Sequence, residues 1–134
     1  MLKGGCYCGA IRYEAGGTPY NESNCHCSIC RRTAGAPFVA WFSVRRSDFR
    51  LVRGSPVAFH STSKAVRKFC GTCGTQLTFE GNETPGEIDI NTVSLDQPNA
   101  LPPKDHIHTG SRLSWVKLAD GLPEFREARA SGSS

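Results

Sequence analysis

No stretch of this 134-residue chain approaches the ~20 consecutive apolar residues that a membrane-spanning helix needs, which argues against a helical membrane protein. The N-terminal Met1-Leu2-Lys3-Gly4-Gly5 lacks the apolar core of a signal peptide, so a soluble, cytoplasmic protein is expected. Helical periodicity is missing as well. No window of a dozen residues keeps an apolar stripe of 3.6-residue period, and 14 glycines and 8 prolines punctuate the chain, so helix should be scarce. There is no internal repeat beyond pairs of cysteines. The length suits one domain, taken as residues 1–129, with Ala130-Ser131-Gly132-Ser133-Ser134 as a flexible tail.

What is present is a series of short alternating or aromatic-rich runs: Ala10 to Glu14, Phe38 to Val44, Phe49 to Val52, Val57 to His60, Gln76 to Phe79 and Glu87 to Val93. In the last, Ile88, Ile90 and Thr92 point one way and Glu87, Asp89 and Asn91 the other, as in a strand with one wet face. An all-β, mostly antiparallel domain is expected. Short helix is placed only around Ser28 to Thr33 or near Asp96 to Asn99.

Seven cysteines are many for this length, and an odd number in a chain without an export signal argues against a disulfide framework. Metal binding is the leading explanation. They fall in three clusters: Cys6-x-Cys8, Cys25-x-Cys27-x-x-Cys30 and Cys70-x-x-Cys73. Residues two apart in an extended segment share a face, so Cys6 and Cys8 can offer both sulfurs to one ion while Tyr7 turns away. By the same rule His26 turns away from Cys25 and Cys27. Cys70-Gly71-Thr72-Cys73-Gly74 suits a metal knuckle, its glycines relieving backbone crowding near the thiolates.

Cys6/Cys8 and Cys70/Cys73 together complete a closed tetrahedral site of four thiolates, the form of a structural zinc. Cys25, Cys27 and Cys30 are then left with three ligands and an open position, the form of a catalytic zinc. Such an ion can take a fourth thiolate from a substrate. The competing readings are an iron–sulfur centre, a redox Cys-x-x-Cys, and a second structural zinc completed by His26, His60, His106 or His108. For His106 and His108 the expectation is a half-exposed strand pair.

The net charge of +4 counts every cysteine as neutral. Seven thiolates and two Zn²⁺ would bring it to about +1, which weakens any case for nucleic-acid binding from overall charge. The distribution is uneven. Residues 31 to 68 hold nine Lys/Arg against one acid, Asp48, whereas residues 69 to 134 hold five against nine.

Three segments carry a resemblance to a known family: Gly4-Gly5-Cys6-Tyr7-Cys8-Gly9-Ala10-Ile11-Arg12-Tyr13, Cys25-His26-Cys27-Ser28-Ile29-Cys30-Arg31, and Arg67-Lys68-Phe69-Cys70-Gly71-Thr72-Cys73-Gly74-Thr75. With these motifs, and with Pro103-Lys104-Asp105-His106-Ile107 and Leu113-Ser114-Trp115 near the end, the chain resembles the glutathione-dependent formaldehyde-activating enzymes. Their domain is also found in centromere protein V. The resemblance implies a zinc-stapled β-tent of antiparallel sheets, with Cys6, Cys8, Cys70 and Cys73 as structural zinc ligands. It implies Cys25, Cys27 and Cys30 as ligands of a second zinc.

The implied activity is that of a carbon–sulfur lyase, joining glutathione as cosubstrate to a small aldehyde as in S-(hydroxymethyl)glutathione synthesis. Glutathione brings two carboxylates, so Arg31 and Arg32, which follow the second cluster, are candidates for a clamp. Trp41 is a candidate pocket wall, weighed against a core role beside Phe38 and Phe42. The expected partners are thus a small thiol and an aldehyde. The alternative is a non-catalytic zinc module that binds protein or nucleic acid through Arg45, Arg46, Arg50, Arg53 and the Lys64 to Lys68 stretch.

Overall fold

The computed structural model describes residues 1–129, so the expected tail at Ala130 to Ser134 lies outside the described residues. The strands are β1 (Leu2–Gly5), β2 (Arg12–Ala15), β3 (Tyr20–Cys25), β4 (Val39–Arg45), β5 (Phe49–Arg53), β6 (Val57–Thr62), β7 (Ala65–Phe69), β8 (Gln76–Gly81), β9 (Glu87–Asn91) and β10 (Asp105–Ile107). One α-helix, α1 (Ser28–Ala34), is found among the described residues. The fold is all-β, as the short alternating runs require. No helix among the described residues is long and apolar enough to cross a membrane.

Two sheets form. A three-stranded antiparallel sheet has the order β1-β2-β5, and a seven-stranded sheet has the order β10-β3-β4-β9-β8-β7-β6. Only the β10–β3 pair in the larger sheet is parallel. Alternation along the central strands then divides the molecule. Phe42 and Val44 of β4, Leu77 of β8, and Ile88 and Ile90 of β9 meet Tyr13, Ala15 and Phe49 of the smaller sheet in the main core. Fully burying one such large apolar side chain is worth about 1.5–3 kcal/mol. The intervening residues Trp41, Ser43, Phe79 and Asp89 face the other way and line a cavity.

That arrangement corrects the reading of β9. The Glu87, Asp89 and Asn91 face is not an ordinary wet surface, because Asp89 opens into the cavity and Asn91 is buried. β1, β3 and β7 were not anticipated, and β10 was anticipated only as strand at His106. β3 reads Tyr-Asn-Glu-Ser-Asn-Cys, too polar to signal a strand, yet it is the inner neighbour of both β4 and β10. Its polar side chains Asn21 and Ser23 face the cavity, which removes the usual demand for apolar residues.

Helix α1 occupies one of the two places expected. Seven residues cannot sustain a helix unaided, so its ends carry the burden. The Cys27 sulfur accepts from the Cys30 N–H at 3.2 Å as N-cap, and Gly35, left-handed at φ 64°, closes the C-terminus. At the other place Pro98–Ala100 forms only a three-residue 3₁₀ turn.

Candidate metal centres and substrate cavity

The first cysteine group forms where two strand connections meet. Cys6 and Cys8 lie between β1 and β2, and Cys70 and Cys73 between β7 and β8. Cys6 to Cys8 is a turn and not the extended segment expected from spacing. A left-handed glycine follows each pair, Gly9 at φ +82° and Gly74 at φ +83°. A Cβ at either would meet nothing within 4 Å, so these glycines are needed for their backbone conformation and not to relieve crowding. Thr75 ties the two turns: its hydroxyl accepts from the Tyr7 N–H at 3.1 Å and lies 3.2 Å from the Cys73 sulfur.

The four sulfurs lie within 4.8 Å of one another. Cys6 and Cys8 sulfurs are 3.6 Å apart and those of Cys8 and Cys70 3.8 Å. A disulfide would need about 2.05 Å. A tetrahedral ion with sulfur bonds of about 2.3 Å has an edge of about 3.8 Å, which these separations match. Backbone N–H groups also aim at the sulfurs, Ile11 at Cys6 and both Thr72 and Cys73 at Cys70. Such donors favour thiolate. The donor set and spacing therefore fit a closed divalent site.

The second group joins Cys25 at the end of β3, Cys27 at the helix cap and Cys30 in the first turn of α1. Its three sulfurs also lie within 4.8 Å, Cys25 and Cys30 being 3.5 Å apart. No histidine nitrogen joins them among the described residues. Hydrogen bonds from Cys25 and Cys30 pull the Cys27 thiol down to about 2, while the Cys25 thiol is pushed far up by donating to Cys27. A divalent cation would favour all three thiolates. The set fits a three-coordinate ion with a free position.

His26 turns away from its neighbours' sulfurs, as spacing required. It is fully buried, and its Nε2 lies 2.9 Å from His106 Nδ1, whose Nε2 is 2.8 Å from Asp120. Desolvation, then His106, pulls His26 down to about 4, so it is neutral. His106 is therefore buried and not half-exposed as expected. His108 has a left-handed backbone, φ 55°, and reaches the cavity.

The cavity encloses about 430 Å³, within the usual range for small-molecule sites. All three cysteines of the second group line it, as does Trp41. Arg31 and Arg32 do not. They occupy the last turn of α1, where cations favour the helix dipole, and Arg31 donates to the His26 carbonyl at 3.4 Å. The guanidinium that does face the cavity is Arg67 of β7. Its Nη2 lies 3.5 Å from the Cys30 sulfur, and it stacks 4.9 Å from the Phe79 ring centroid and 5.9 Å from that of Trp41. In sequence Arg67 is hidden in a basic run. Only the alternation of β7, with Arg67 on the side of Ala65, could have singled it out.

Four residues of the cavity lining each hold a buried polar atom without a hydrogen-bond partner among the described residues: Asn21 Nδ2, Ser23 Oγ, Ser61 Oγ and Arg67 Nε. All four can donate. Buried donors without partners are rare in folded proteins, and these four belong to residues around one cavity.

These features define a β-protein with two cysteine clusters able to hold metal, one of them open to a cavity. The chain belongs to the glutathione-dependent formaldehyde-activating enzyme family, which matches residues 1–111. It is 29% identical over 130 residues to a Halomonas elongata protein provisionally named for that activity, covering 88% of this chain and 81% of that one. A Schizosaccharomyces pombe protein named an uncharacterized lyase is 36% identical over 77 residues, 58% of this chain and 56% of its own. The crystal structure of a Rhodobacter sphaeroides protein is similar with a TM-score of 0.60 at 26% identity, covering 92% of this chain and 98% of that one.

Proposed function

We propose that this protein is a zinc-dependent carbon–sulfur lyase that joins a glutathione-like thiol to a small aldehyde and reverses the reaction. The observation that carries the reading is the opening of the Cys25, Cys27 and Cys30 cluster into the cavity. Zinc in the second cluster would supply a Lewis-acid position for a thiol sulfur. Cys6, Cys8, Cys70 and Cys73 would hold a second, structural zinc. Arg67 sets a fixed positive charge beside the sulfurs, where it favours thiolate over thiol. The polar residues of the cavity lining, Asn21, Ser23, Ser61 and Arg67, would take the carboxylate and amide oxygens of a peptide thiol. Trp41 and Phe79 wall the site.

The binding-module alternative is disfavoured by where the basic residues point. Arg45 pairs with Asp48, Arg46 and Lys68 with Glu80, Arg50 with Glu14, and Lys64 with Glu83. Most of the basic stretch is thus matched by acids, not presented as a positive stripe. The test of the proposed activity is the rate of S-hydroxymethylglutathione formation above the spontaneous rate, with Cys30→Ser as the control. An enzyme rate equal to the spontaneous one would refute it.

A further inference from the structure

Asp89 lies on the central strand of the cavity floor, paired with Ser43 on one side and Phe79 on the other. Phe79 in turn pairs with Arg67, whose guanidinium reaches Cys30, so one row of side chains runs from Asp89 to the open cluster. The Ser43 hydroxyl donates to Asp89 Oδ1 at 2.6 Å. A carboxylate has about four acceptor positions, and among the described residues this is the one side-chain bond to Asp89. No ion pair involves it among the described residues. The charges that reach it do so at longer range: Glu87 on its own strand, Arg67 from β7 and Arg129 near the C-terminus. Glu87 accepts from Tyr20, and Arg129 is paired with Asp105. Burial, partly offset by the Ser43 bond, pushes the Asp89 carboxyl up to about 7. It can therefore both hold and release a proton near neutrality.

We propose that Asp89 is the acid–base residue of the reaction at this site, carrying the proton from the thiol to the carbonyl oxygen. This rests on the thiol–aldehyde reading above. In the forward direction the thiol gives its proton to the Asp89 carboxylate. The sulfur then forms a bond to the carbonyl carbon, the C=O π pair moves to oxygen, and that oxygen takes the proton from Asp89. Atoms and charge balance with no further reactant. Cleavage runs the same steps backward, with Asp89 accepting the hydroxyl proton. Ser43 is a positioning residue that orients the carboxyl and sets the pH at which it titrates.

The test measures adduct formation from ¹³C-formaldehyde and glutathione by exchange NMR on the zinc-loaded protein, at pH values on both sides of 7. It compares wild type with Asp89→Asn, Asp89→Glu and Ser43→Ala, and glutathione binding is measured separately without aldehyde. Asp89→Asn should lower the enzymatic rate about 100-fold while glutathione affinity is unchanged. The wild-type rate should rise as pH increases through about 7, where the carboxylate that accepts the thiol proton is formed. Ser43→Ala removes a bond that lowers the Asp89 pKa, so that rise should move to higher pH; Asp89→Glu should retain part of the rate. A wild-type rate and pH profile in Asp89→Asn would overturn the assignment and leave the thiol–aldehyde reading standing. Should Asp89→Asn not fold, an unmoved profile in Ser43→Ala overturns it instead. Wild-type protein that gives no acceleration at all overturns the thiol–aldehyde reading and Asp89's role with it.

Discussion

Replacing Asp89 by asparagine should stabilise the protein at alkaline pH and leave its stability unchanged in acid. The carboxyl titrates near 3.8 in an unfolded chain and is raised to about 7 in the fold, chiefly by desolvation. Between those values the folded state binds a proton that the unfolded state has lost. Stability therefore falls as pH rises, by about 1.4 kcal/mol per pH unit. Over the window from about 3.8 to about 7 the loss sums to about 4 kcal/mol, and it is complete above pH ~7. Asparagine has nearly the same shape, keeps an acceptor for the Ser43 hydroxyl and never ionises. The assay is urea unfolding of wild type and Asp89→Asn over a pH series at fixed zinc. Metal loss from protonated thiolates affects both proteins alike, so the difference between them isolates Asp89. That difference should be near zero at pH ~4 and approach 4 kcal/mol at pH ~8. A difference that is flat with pH, or a wild type that is more stable at pH ~8, would refute the reasoning.

Cys70→Ser should lower bound zinc by one equivalent and abolish cooperative thermal unfolding. A structural zinc contributes about 10–16 kcal/mol, as much as the whole stability of a typical domain; metal analysis and circular dichroism check this. The double variant Arg31→Ala, Arg32→Ala should leave KM for glutathione within about twofold, whereas Arg67→Ala should lower kcat/KM at least about tenfold, because Arg67 alone of the three lines the cavity. His106→Ala removes a buried ring that bridges His26 and Asp120, and should cost about 2 kcal/mol in a urea titration.

In the cysteine motifs, position along the chain determined a great deal. Cysteines close in sequence need only a local turn to meet, so the spacing of Cys6/Cys8, Cys25/Cys27/Cys30 and Cys70/Cys73 already proposed the two groups of sulfurs that the fold assembles. Glycine and proline frequency and short alternating runs likewise determined the all-β class, since both act through local backbone preference. The rule that residues two apart share a face also turned His26 away from the sulfurs correctly, even though Cys6 to Cys8 forms a turn.

The cavity, by contrast, was decided only by tertiary structure. Arg67 and Asp89 lie on strands separated by β8, and nothing local tells a charged residue facing a cavity from one facing solvent. Arg31 and Arg32 sit beside the cluster in sequence but project from the far end of a short helix, whereas Arg67 reaches Cys30 from 37 residues away. Trp41 has two apolar neighbourhoods open to it, and only the packing of the smaller sheet on the Phe42 face turned it toward the cavity. The cysteine pairs could be read along the chain because local turns bring neighbouring cysteines together; the joining of Cys6/Cys8 to Cys70/Cys73 and the cavity at the other cluster exist only where the strands pair in register.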